Sequence, residues 1–162
     1  MIAIDTNILL RYLLQDEPAQ SEQATKIISG KEKILITDIV IVETVWTLKG
    51  KRYKLDKQGI MQTINKLFEE PNIVFEDGQT IWKALGDYTK AKPVRINGKL
   101  KEADFPDALI INKAQYDADR KGQKLKCVYT FDKAALEIQG TKKPAKYLNG
   151  LFLARTCNSS FQ

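Results

Sequence analysis

Short β-branched runs alternate with longer stretches of helical period along this chain, and that alternation restricts the fold more than any other feature. Ile34-Leu35-Ile36, Ile73-Val74-Phe75 and the run from Cys127 to Phe131 are brief and apolar. With the opening MIAID, which ends in Asp5, they read as buried strands. Helices are expected over residues 7–14, from Pro18 to about Ser29, from Thr37 or Asp38 to Lys51, and over residues 56–70, 79–90 and 104–121. Pro18 suits a first helical turn, Thr37 or Asp38 can cap free amides, Asp104 opens the last helix, and Gly30, Pro71 and Gly122 supply stops. Strands separated by helices pair in parallel through crossovers, which implies an α/β fold with a mainly parallel sheet covered on both faces.

At 162 residues with 43% hydrophobic side chains, the chain can bury one adequate core. One domain is expected over residues 1–140, followed by an extension over 141–162 that is mobile in part. No apolar run approaches the roughly 18 residues of a membrane span, and no positive region precedes the N-terminal apolar run as in a signal peptide. Cys127 reads as a buried small hydrophobe and Cys157 lies in a polar tail. They suggest neither a disulfide framework nor a zinc site, and the simple inference is a cytoplasmic protein.

The net charge of +6 favours a polyanionic partner without establishing one. The absence of histidine says more. It removes His-dependent nucleophile triads and the paired-histidine route to RNA cleavage. For a hydrolase, carboxylates acting with a metal are the main chemistry left.

Five acids invite that reading, each against a structural alternative. Asp5 ends the first strand, where ligands of open α/β sheets bind, although it could simply cap the next helix. Glu43 shares a helical face with Ile39, Val40, Trp46 and Thr47, and an ionised group on a buried apolar face needs a partner or a cation, unless it lies at the edge of that stripe and reaches solvent. Asp104 and Asp107 lie three apart in one first turn, where acids also suit the helix dipole. Asp132 follows the last strand and is expected at the same sheet edge as Asp5, with helix capping as its plain alternative. Two such charges about 4 Å apart repel by roughly 4 kcal/mol at an effective dielectric of about 20. Acids brought together in one pocket therefore raise their pKa values or recruit hard cations, Mg²⁺ or Mn²⁺ rather than zinc.

Residues 90–101 carry Lys90, Lys92, Arg95, Lys99 and Lys101 and no acid, with Asn97-Gly98 marking a tight hairpin. This segment is either a solvated excursion or a basic flap, and Lys92, Arg95 and Lys99 are its candidate RNA-binding residues.

The motifs IDTNILLRYLLQDEPAQSEQA, ITDIVIVETVW, ADFPDALI and YTFDKAA, in that order, resemble those of PIN domains, especially bacterial VapC toxins. By position Asp5, Glu43, Asp107 and Asp132 match the family's catalytic, metal-binding quartet. Asp104 matches an additional acid, Thr6 and Asn7 complete the first motif, and Thr130 takes a supporting hydroxyl position. The resemblance implies a Rossmann-like three-layer α/β/α sandwich, a homodimer and a cognate VapB-like antitoxin. The implied activity is an Mg²⁺- or Mn²⁺-dependent endoribonuclease that leaves 5′-phosphate and 3′-hydroxyl ends. A structured RNA such as tRNA would fit, because sequence-specific readers target its loops and single strands. The basic insert and the segment after Ala135 depart from the family pattern. The alternatives are a PIN-like module that binds RNA or protein without cutting, a phospho-receiver-like domain using Asp77, and a phosphatase with Asp5 as nucleophile. Asn7 stands where the phosphatase needs a second acid.

Overall fold

The sheet begins with β1 (Ile2–Ala3), β2 (Ile34–Ile36) and β3 (Ile73–Phe75), which pair in parallel in that order. Ile2 lies opposite Ile34 and Ile34 opposite Ile73, so the three apolar runs share one register. Ile34 and Ile36 are fully buried, because alternate side chains of a strand point to the same face. The computed structural model describes residues 1–145. The expected mobile tail falls largely on residues 146–162, outside the described residues. The chain divides into two compact units, Met1–Trp82 and the part from Lys83 onward, with the boundary inside a helix.

In the first unit, α1 (Thr6–Leu14), α2 (Pro18–Ile28), α3 (Asp38–Lys49) and α4 (Lys57–Glu69) accompany the sheet, and α5 (Gly78–Lys90) starts after β3. Their bounds follow the expected starts and stops to within two residues. Asp56 caps α4 through the amide of Gly59, and Pro18 opens α2. Leu9, Ala24, Ile28, Ile41, Leu48, Ile60, Ile64 and Leu67 form the buried core of this unit. α1 packs on α2 and α3, and half-buried Asp16 ties this arrangement. It accepts from Arg11 Nη1 at 2.5 Å, the Tyr53 hydroxyl at 2.8 Å and Arg52 Nη2 at 3.2 Å. Tyr53, then Arg11, hold the Asp16 carboxyl below the usual carboxylate range.

β1 is shorter than the expected residues 1–5, yet pairing reaches further than the strand itself. The Ile4 amide donates to the Leu35 carbonyl at 3.4 Å, which brings the sheet up to Asp5. Parallel strands end on the same side, so Asp5, Asp38 and Glu76 follow β1, β2 and β3 at one edge. Glu76 there accepts the Asp38 amide at 3.0 Å, satisfying one of the open donors at the start of α3.

In the second unit, the end of α5 is followed by the antiparallel hairpin β4 (Val94–Ile96) and β5 (Lys99–Lys101), and then α6 (Phe105–Arg120). Asn97 and Gly98 both have positive φ, 48° and 77°, as a two-residue mirror-image turn requires. Tyr88 and Phe105 meet edge to face with centroids 6.1 Å apart, and Ala108, Leu109, Ala134, Ala135 and Ile138 add to this core.

The last strand differs from expectation. Only Val128–Tyr129 form β6, which pairs in parallel with β7 (Thr141–Lys142) across a 3₁₀ turn at Ala135–Glu137. β6 belongs to this two-stranded sheet and not to the sheet of β1, so Asp132 is not at the Asp5 sheet edge through strand pairing. Tyr129 and Phe131 are 60% and 79% exposed, and Cys127 is half-buried rather than buried. A strand with one two-residue partner cannot bury five consecutive side chains. Among the described residues no helix is long and apolar enough to cross a membrane.

Candidate active site

Asp5 leaves β1 in extended conformation and caps α1, its Oδ1 accepting the Ile8 amide at 2.9 Å. The capping alternative is thus real, but it uses one oxygen. Oδ2 has no hydrogen-bond partner among the described residues, and the side chain is exposed. Thr6, the next residue, donates its hydroxyl to Glu43 Oε2 at 2.5 Å. This bond joins the first motif to α3 across 37 residues of chain. Glu43 Oε1 likewise has no partner among the described residues. Asn7 is exposed on the first turn of α1.

Glu43 does not owe its character to burial. The buried stripe of α3 is Val40, Ile41, Thr44, Val45 and Leu48, whereas Ile39 and Trp46 on the Glu43 side are 70% and 58% exposed. Of the face read from the sequence Val40 is buried while Ile39 and Trp46 are exposed, so Glu43 lies at the edge of the stripe and reaches solvent, and what marks it is its bond to Thr6.

The second unit holds the other acids. Asp104 caps α6, accepting the Phe105 amide at 2.7 Å. Asp107 turns back to accept the Asp104 amide at 2.9 Å, closing a reciprocal capping box. Pro106 in that first turn requires no amide partner. Asp132 Oδ1 accepts the Ala134 amide at 2.7 Å and that of Ala135 at 3.4 Å, while the Thr130 hydroxyl accepts the Asp132 amide at 3.0 Å. Thr130 therefore supports the backbone that presents Asp132.

The structure brings together Thr6 with Glu43, Asp104 with Asp107, and Thr130 with Asp132. Among the described residues no three Asp, Glu or Cys side chains gather closely enough to hold a metal ion. The donors themselves fit a hard cation. They are all carboxylate oxygens, with no imidazole in the chain, and Asp5 and Glu43 each keep one unbonded oxygen on an exposed side chain. Lys92, Arg95 and Lys99 lie on or beside the β4–β5 hairpin, all exposed. Sequence reading missed Glu76, whose bond to the start of α3 depends on a strand pairing with no local signature.

The PIN domain family matches residues 2–140. No curated protein matches the chain. The chain belongs to the PIN domain family, whose members are generally nucleases that use divalent metals.

Proposed function

We propose that the chain is an Mg²⁺- or Mn²⁺-dependent endoribonuclease, the toxin of a VapBC-type pair. It would act in the cytoplasm as a homodimer restrained by a VapB-like antitoxin. The observation that carries the reading is the Thr6–Glu43 bond, which joins two of the four family motifs next to Asp5.

In this reading Asp5, Glu43, Asp107 and Asp132 hold the cation, with Asp104 as an additional ligand. When bound, the cation supplies easier deprotonation of water and stabilisation of charge on the leaving 3′ oxygen. The chain's own contribution is to fix the carboxylates beforehand. Thr6 fixes the Glu43 rotamer, the Ile8 amide fixes Asp5, and the capping box fixes Asp104 and Asp107. In-line attack by water leaves a 5′-phosphate and a 3′-hydroxyl.

The phospho-receiver alternative is disfavoured by Asp77. Its Oδ1 accepts the Thr80 amide at 3.0 Å and its Oδ2 the Thr80 hydroxyl at 2.6 Å, so both oxygens are committed to the start of α5.

Incubating the chain with total RNA and tRNA, with Mg²⁺ or Mn²⁺ and then with chelator, tests the proposal. Cleavage should require the metal and disappear in Asp5→Asn. Cleavage that survives chelator, or an active Asp5→Asn, would count against it.

A further inference from the structure

The β4–β5 hairpin is a basic ribbon whose charges have no counterpart within the described chain. None of Lys90, Lys92, Arg95, Lys99 and Lys101 has an ion-pair partner among the described residues. Solvent-exposed lysines usually stand among acids of opposite sign, yet residues 90–101 contain none. The register separates the ribbon into two faces. Lys99 stands opposite Ile96 and Lys101 opposite Val94, while Arg95 stands opposite Leu100 on the other face.

Resting on the ribonuclease reading, we infer that the β4–β5 hairpin is the substrate-positioning element, binding the sugar–phosphate backbone of single-stranded or looped RNA. Three features favour RNA over an acidic peptide. Lys99 and Lys101 are two residues apart on one face, about 7 Å along a strand, a spacing on the order of one nucleotide step in an extended backbone. On the opposite face exposed Arg95 pairs across the ribbon with Leu100, itself 65% exposed. A planar cation beside an apolar side chain suits a base and its phosphate together, as an acidic peptide does not require. The turn is also fixed: Asn97 and Gly98 hold left-handed backbone, and the Arg95 guanidinium donates to the Gly98 carbonyl at 3.3 Å. β5 ends at Lys101, three residues before Asp104, so RNA held there lies close in the chain to the capping-box acids.

The test measures anisotropy of a labelled single-stranded RNA oligonucleotide with the full chain in chelator, so that binding is read without cleavage. K99A/K101A should raise Kd at least tenfold and make the slope of log Kobs against log salt less negative by about 1.4, from two contacts at about 0.7 each. R95A, which also removes the bond to the Gly98 carbonyl, should weaken binding as well, and K99R/K101R should retain it, with unchanged melting in both lysine variants. Wild-type affinity and slope in K99A/K101A would overturn the inference, as would loss of binding in K99R/K101R. Polyglutamate binding as tightly as RNA, and lost in K99A/K101A, would overturn it in favour of an acidic peptide. Absence of metal-dependent cleavage by the wild-type chain would sink the ribonuclease reading while leaving these binding results standing.

Discussion

Replacing Thr6 with Val removes the hydroxyl that donates to Glu43 at 2.5 Å and leaves the side chain nearly the same shape. Hydrogen bonds to charged groups contribute about 1.5–3 kcal/mol, and neutral ones about 0.5–1.5. Glu43 is exposed, so water competes for its oxygen and the contribution falls below the charged range to that of a neutral bond, about 1 kcal/mol. Val is β-branched like Thr, so the change in helix propensity at the start of α1 is small. The assay is a double-mutant cycle of Thr6→Val, Glu43→Ala and their combination, read by urea unfolding in chelator. The pair should show a coupling of about 1 kcal/mol, and Thr6→Val alone a fall in Tm of about 2–4 °C. Because Glu43 loses its preset orientation, cleavage by Thr6→Val should fall about tenfold, equivalent to about 1.4 kcal/mol, and Thr6→Ser should restore it. A coupling under about 0.3 kcal/mol would refute the claim that Thr6 holds Glu43, since independent sites add to within that margin.

Asp5→Asn should unfold within about 0.5 kcal/mol of wild type while losing cleavage, because Asn caps α1 as well as Asp does; Asp5→Ala should cost about 1 kcal/mol more, and urea titration separates the two. Thr44→Val should stabilise by about 1 kcal/mol, since the Thr44 hydroxyl is buried without a hydrogen-bond partner among the described residues; a lower urea midpoint would contradict this. The depressed Asp16 carboxyl contributes stability that is present above about pH 4, the ordinary range of the unfolded group, and is lost as pH falls through its lower folded value. Asp16→Asn should flatten that acid limb. Burial, then its bond to Glu70, pushes the Tyr12 hydroxyl up to about 12, so stability should decline as pH rises from about 10 through 12, and Tyr12→Phe should flatten the alkaline limb.

Most of the helices were legible because their signals are local. Pro18, Asp56 and Asp104 mark starts and Gly122 a stop, and each acts within one turn of itself. The Asn97-Gly98 hairpin was legible for the same reason. The strand at 127–131 misled, because its β-branched and aromatic residues indicate extended backbone but not what covers it; Phe131 is exposed where a central strand would bury it. Five of the acids were visible one by one, and the capping roles of Asp5 and Asp132 follow from position alone, whereas the capping box that Asp104 forms with Asp107 was read only as two acids suiting the helix dipole. The Thr6–Glu43 bond was not visible, nor was Glu76 at the start of α3. Both depend on which elements pack together, and nothing within a few residues encodes that. Glu43 was singled out for a burial it does not have; the alternative, an edge position that reaches solvent, is what the structure shows.

Carboxylate-directed hydrolysis and internal attack by the RNA's own 2′-hydroxyl differ in the ends they leave, which makes end-mapping the most direct measurement. Fragments from a cleaved tRNA, produced with Mg²⁺ or Mn²⁺ against an Asp5→Asn control, should carry 5′-phosphates and 3′-hydroxyls and ligate without prior treatment. Fragments ending in a 2′,3′-cyclic phosphate would contradict the account.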